Sequence, residues 1–135
     1  MTVVLDASAA VSQLLPSQAT AASDAFFDLP DWRFQVPYVF DWEVRNLLLS
    51  RRAMLGAALY DQAVSLFSAL DVVSEPATDL DQLPEMSELA ARHGVSLFDA
   101  SYLVLSIDTE APIASRDGLL LEAARSYNLP VHDLR

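Results

Sequence analysis

The sequence predicts an α/β/α sandwich, a four- or five-stranded, mainly parallel sheet covered by helices on both faces. Two observations predict it. Short apolar or β-branched runs alternate along the chain with longer helical stretches, the order that builds parallel sheets through crossover helices. The first run, Thr2-Val3-Val4-Leu5-Asp6, carries no apolar/polar alternation, so it reads as a strand buried on both faces. The 135 residues form one domain, 1–135, long enough to bury roughly two-thirds of its unfolded surface.

After the strand at 2–6, Ser8 is placed to cap a short helix that Pro16 stops, and a second helix spans about Ser17 to Leu29. Arg33 to Pro37 reads as a short strand. A strongly apolar helix follows over about Tyr38 to Ala53, and Gly56 parts it from another over Ala57 to Leu70. Residues 72–75 make a third strand. Leu80 to His93 is helical and ends at Gly94, the C-terminal position that glycine favours. Ser96 to Ser106 is a helix, Pro112 to Ser115 a strand, Gly118 to Tyr127 a helix and Leu129 to Val131 a last strand. Repeats, low-complexity tracts and Gly/Ser linkers are absent.

Four acids stand where a packed α/β domain does not want charge. Asp6 closes the first strand, and Glu43 lies inside the apolar run from Tyr38 to Leu49. Asp99 sits in Ser96-Leu97-Phe98-Asp99-Ala100-Ser101-Tyr102, and Asp117 follows Ile113-Ala114-Ser115-Arg116. A buried carboxylate is expensive unless something cationic compensates it. Three of the four have an ordinary structural reading as well. Asp6 and Asp117 can cap the helices that follow them, and Ser96-x-x-Asp99 has the form of a capping box. Glu43 has no such excuse, because its helical neighbours Val39, Phe40, Asn46 and Leu47 include no cation.

In parallel sheets, ligands bind beyond the carboxyl ends of the strands, where Asp6 and Asp117 fall. Asn46, one turn after Glu43, can hydrogen-bond to it or to a water. Ser8 and Ser115, two residues from Asp6 and Asp117, can orient carboxylates or the water around a metal. Such an all-oxygen set suits Mg²⁺ or Mn²⁺, not zinc. His93, at a helix C-terminus, and His132, read as tail, stand outside it.

Composition bounds the rest. The chain is 53% hydrophobic and 20% charged, a globular composition, and no apolar run approaches the ~18 residues that span a bilayer. The start lacks a basic region, so a cytoplasmic protein is expected. Without cysteine there is no disulfide, thiolate nucleophile or Cys-ligated zinc. The net charge is −11, with eight arginines and no lysine, the wrong sign for holding nucleic acid through the overall field. Contact with nucleic acid must therefore rest on metal and on local arginine. Arg116, beside Asp117, is the candidate for meeting a phosphate.

Taken in order, Val4-Leu5-Asp6-Ala7-Ser8-Ala9, Glu43-Val44-x-Asn46-x-Leu48, Asp99-Ala100-x-Tyr102 and Ser115-Arg116-Asp117 resemble the PIN-domain pattern, and more narrowly the small VapC-type toxins of toxin–antitoxin pairs. The resemblance runs from Val3 to about Val131. It implies a Mg²⁺- or Mn²⁺-dependent endoribonuclease with metal-binding and catalytic roles for Asp6, Glu43, Asp99 and Asp117, supported by Ser8 and Asn46. It also implies an antitoxin partner and a homodimer. Ser115 departs from the threonine more usual there but keeps a hydroxyl.

Hydrolysing a phosphodiester requires a water of lowered pKa and neutralised phosphoryl charge, which one or two Mg²⁺ ions supply without a Ser/His nucleophile. Two other classes compete. One is a PIN-like protein-interaction module without catalysis. The other is a different Mg²⁺ phosphoryl-transfer enzyme, but Asp6-Ala7-Ser8 lacks the Asp-x-Asp of haloacid-dehalogenase-like phosphatases, and a receiver domain needs a lysine.

Overall fold

The computed structural model describes residues 1–135. Five strands, β1 (Thr2–Leu5), β2 (Arg33–Val36), β3 (Val72–Ser74), β4 (Ile113–Ser115) and β5 (Val131–Asp133), form one sheet. Its order is β3-β2-β1-β4-β5 and every pairing is parallel. The helices are α1 (Ala7–Leu14), α2 (Ala21–Phe27), α3 (Phe40–Ser50), α4 (Arg52–Leu55), α5 (Ala57–Ala69), α6 (Leu83–His93), α7 (Leu97–Thr109) and α8 (Gly118–Ser126). The predicted sandwich is therefore present, with five strands.

β1 is central because it is apolar on both faces. Val3, Val4 and Leu5 are fully buried, and they join Leu14, Leu48, Tyr102, Leu103, Ile113 and Leu121 in one core of 27 residues. The register pairs Val4 with Ile113 and Leu5 with Ala114, and the ladder continues as the Asp6 amide donates to the Ala114 carbonyl at 3.0 Å. This places Ser115 beside Asp6, at the carboxyl end of the sheet.

Several elements differ from the sequence reading. The helix expected from Ser17 is a 3₁₀ turn over Pro16–Gln18, followed by α2. Thr20 and Ser23 form a reciprocal capping box that starts the helix afresh. Ser8 does not cap α1; Asp6 occupies the cap position and Ser8 lies inside the first turn. Likewise, a 3₁₀ turn over Leu80–Gln82 precedes α6, and Gly94 closes that helix in the left-handed region at φ 65°.

α7 runs three residues past Ser106, until Glu110 turns left-handed at φ 52°. The last strand begins at Val131, because Pro130 has no N–H for the ladder and contributes only its carbonyl, which accepts from Ile113 at 3.2 Å. His132 is accordingly in a strand, packed against Phe26 and Trp32, not in a tail. The apolar helix over 38–53 is not buried all round. α3 buries Phe40, Val44 and Leu48 and turns Trp42 and Leu49 outward, Trp42 at 73% exposure.

Leu5 and Leu119 provide the contrast that measures this core. Leu5→Ala should destabilise the fold by about 2–5 kcal/mol, the cost of a cavity in a central strand. Leu119→Ala, at a position 53% exposed, should stay within about 0.5 kcal/mol. Urea unfolding of both variants checks it, and equal losses would contradict the assigned core.

Candidate metal centre

Three of the four acids follow neighbouring strands at their carboxyl ends. Asp6 ends β1, Asp117 follows β4, and Glu43 enters on the first turn of α3, after β2 and the link Pro37-Tyr38-Val39. Asp99 arrives in the first turn of α7. Each carboxylate thus lies near a helix N-terminus, where the peptide dipoles favour negative charge.

Asp6 is buried and accepts two hydroxyl hydrogen bonds on one oxygen. Ser8 Oγ donates to Asp6 Oδ2 at 2.5 Å and Ser115 Oγ donates to the same atom at 2.7 Å. The sequence separation pairs Ser115 with Asp117, but parallel register hands its hydroxyl to Asp6 instead. Ser115 Oγ meanwhile accepts from the Asp117 amide at 2.9 Å, and Ser8 Oγ accepts from the Arg116 amide at 3.0 Å. The two serines therefore tie the end of β1 to the β4–α8 turn. Even so, burial outweighs these bonds and pushes the Asp6 carboxyl up to about 6.

Glu43 forms no salt bridge; the chain's ion pairs are Arg45–Asp41, Arg125–Asp133 and Arg135–Asp133. Its Oε1 is buried without a hydrogen-bond partner. Burial first, and then the negative charges of Asp6 and Asp99, push its carboxyl up to about 7. Asn46 is exposed and makes no hydrogen bond to Glu43, one of the two partners expected for it; both side chains line a groove of about 520 Å³ with Trp42 and Phe98. Tyr102 is the contributor that sequence reasoning passed over as a motif position without a role. Its hydroxyl faces Glu43 and favours the ionised carboxylate, but the two fall short of a well-formed bond, and Tyr102 Oη is likewise buried without a partner. Burial and the adjacent carboxylates hold this phenol neutral.

Asp99 and Asp117 perform the structural jobs foreseen for them. Asp99 completes a capping box with Ser96, and Asp117 Oδ1 accepts from the Leu119 and Leu120 amides at 2.9 and 3.3 Å. They also join the electrostatic cluster: the Asp99 carboxyl is raised by burial and then by Asp117. Asp6, Glu43 and Asp99 thus share one field with no cation in it, and Asp117, which also feels Arg135, joins them through Asp99. No three His, Asp or Glu side chains close into a ready-made shell around a single point. Mg²⁺ does not demand one, since it keeps several waters and binds through one or two carboxylates. A buried, unpartnered Glu43 oxygen and an all-oxygen donor set fit such an ion.

No family model and no curated relative matches the chain. Solved structures do. VapBC2 from Rickettsia felis, bound to a DNA fragment from its promoter, is 12% identical over 100% of both chains with a TM-score of 0.70. PAE2754 from Pyrobaculum aerophilum is 21% identical, over 93% of this chain and 86% of its own, at 0.64. FitAcB from Neisseria gonorrhoeae is 17% identical, over 97% and 96%, at 0.59. The chain has a PIN-like fold. At these identities the likeness establishes the PIN-like architecture alone, and the chemistry must be argued from the acids. No helix is long and apolar enough to cross a membrane.

The raised carboxyls carry a pH signature. Asp6 and Glu43 bind protons more tightly folded than unfolded, where the ordinary values are 3.8 and 4.5. Their contribution is therefore fully present below about pH 4 and lost as pH rises through 6 and 7. The metal-free protein should melt at progressively lower temperature from pH 4.5 to 8, and Glu43→Gln should flatten that slope; a wild-type slope of opposite sign would contradict the cluster. Tyr102→Phe should change stability by less than about 1 kcal/mol, because the hydroxyl it removes makes no hydrogen bond. Chemical denaturation near pH 5 tests this.

Proposed function

We propose that this chain is a Mg²⁺- or Mn²⁺-dependent endoribonuclease, the toxin of a type II toxin–antitoxin pair. The observation that carries the reading is Glu43, a carboxylate with a buried, unpartnered oxygen, facing Asp6 and Asp99 with no arginine to neutralise it. A structural glutamate would have a partner. An interaction module without catalysis has no use for the desolvation of three acids at one end of the sheet.

Asp6, Glu43, Asp99 and Asp117 would hold the ion or ions. Bound there, Mg²⁺ or Mn²⁺ supplies Lewis acidity, lowering the pKa of water and neutralising charge on the phosphodiester. The protein's own groups do the remainder. Ser8 and Ser115 fix the orientation of Asp6 through Oδ2. Tyr102 sits behind Glu43 and favours its charged form. Glu43, raised to about 7, must release its proton to serve as a ligand, so ion binding should strengthen with rising pH.

The partner reading has support as well. Trp42 and Leu49 on α3, Tyr38 just before it and Phe98 at the start of α7 expose large apolar surface beside the acids. Clustered exposure of this kind marks an interaction face. An antitoxin segment lying across it, with an arginine reaching the carboxylates, would exclude metal and RNA together. Two of the structural neighbours are two-component assemblies by name, VapBC2 and FitAcB, in keeping with such a partner.

Glu43→Gln separates this reading from its rivals. Gln keeps the shape and removes a charge, so the metal-free variant should melt at or above wild type at pH 8. Mn²⁺ should raise the wild-type melting temperature by mass action and the variant's far less. Cleavage of single-stranded RNA with Mn²⁺ should fall at least 100-fold. Wild-type cleavage without any divalent ion, or an active Glu43→Gln, would overturn the proposal.

A further inference from the structure

Beside the acids lies a small cavity of about 230 Å³ whose walls carry the opposite charge. Arg51 enters it from the residue between α3 and α4, Arg116 from the turn after β4, and Arg135 from the C-terminal residue. Ser8, the residue that holds Asp6, forms part of the same wall. Of the five arginines with no carboxylate within 4.0 Å, Arg33, Arg51, Arg52, Arg92 and Arg116, two meet at this cavity. Arg135 is satisfied by Asp133, but neither Arg51 nor Arg116 has an acid within 4.0 Å. Nor does Arg116 balance its neighbour Asp117, whose carboxylate is turned to the amides of α8.

Arg116 is held but not neutralised. Its Nη1 donates to the Gln18 carbonyl at 2.9 Å and to Gln18 Oε1 at 3.3 Å. Its Nε is buried with no acceptor. The side chain of Arg51 makes one long hydrogen bond, Nη1 to the Leu47 carbonyl at 3.4 Å. Two guanidinium groups facing one cavity repel each other unless an anion lies between them. A planar fork of N–H donors matches phosphate oxygens in geometry and charge.

We propose that Arg51 and Arg116 form a phosphate-binding pocket, distinct from the metal centre and separated from it by Ser8. The inference rests on the ribonuclease reading in one respect: its ligand in the reaction is the backbone phosphate next to the one being cut. The pocket would set the register of the strand, delivering the scissile phosphate to the acids. It also answers the charge problem, because the arginines act at contact distance, whereas acidic surface more than ~8 Å away is screened by salt.

The test uses the full chain carrying Glu43→Gln, so that RNA stays intact, and a fluorescent single-stranded 12-mer read by anisotropy. Arg51→Gln and Arg116→Ala should each weaken binding five- to twentyfold. Each should also lower the slope of log K against log salt by about 0.7, one phosphate contact on a single strand. The remote Arg92→Ala and Arg125→Ala should bind as the parent does. Thermal melts matched to the parent guard against misfolding, and Arg51→Gln is the safer variant because it forfeits only the 3.4 Å bond. Equal binding by all four variants would overturn the pocket.

A second arm titrates inorganic phosphate against the arginine Nε–Hε resonances. If the parent binds no RNA but phosphate shifts resonances that Arg116→Ala removes, the pocket stands and the ribonuclease reading falls. If neither RNA nor phosphate perturbs Arg51 and Arg116, the pocket is overturned.

Discussion

The uncompensated charge of Asp6 governs this end of the molecule. β1 is buried on both faces in the middle of the sheet, so whatever ends it is carried out of water with it. A carboxylate there has to be held by donors, protonated or paired with a cation. The fold supplies two serine hydroxyls, one from α1 and one from β4, and both go to a single oxygen. They orient the group without neutralising it. The charge of Asp99 then raises the pKa of both Asp6 and Glu43, which makes the cluster of acids worse, not better. A site that accumulates electrostatic cost while spending hydrogen bonds on geometry is a candidate functional site, and the proposed divalent ion would offset that cost.

The sequence revealed the sheet and the acids because both depend on local features. An apolar run ending in Asp6, a glycine after a helix and a proline before one act within a few residues. What it hid were relations between distant segments. Ser115 seemed to serve Asp117, two residues away, whereas the register of β1 on β4 gives its hydroxyl to Asp6, 109 residues away. Tyr102 stood in the motif without a role, and which buried group its hydroxyl would face was not visible in the chain. Asn46, one helical turn from Glu43, lines the same groove without bonding to it.

α3 shows a different limit. Its run of Val39, Phe40, Trp42, Val44, Leu47, Leu48 and Leu49 contains more apolar residues than one buried stripe needs, and periodicity alone reads such a helix as buried all round. Only Phe40, Val44 and Leu48 reach the core. The surplus on the other face makes sense as a surface for a second molecule, not as packing for this one. Glu43 lies between the two faces. The same helix thus supplies a carboxylate to the cluster and an apolar platform beside it, so any chain seated on the platform would sit against the site.

The net charge of −11 finally looks less like an obstacle to nucleic acid than like a reason for the chain's arrangement of arginines. Long-range attraction is unavailable, so a polyanion must be recognised at contact. Arg45, Arg125 and Arg135 are spent on internal ion pairs, and of the five arginines left without an acid, Arg51 and Arg116 line one cavity. Across Ser8 from them lie carboxylates that would repel a phosphate unless a divalent cation offset their charge. On the proposed reading cutting would require the ion, whereas the metal-free protein, with its acids partly protonated, would hold RNA through the arginines alone.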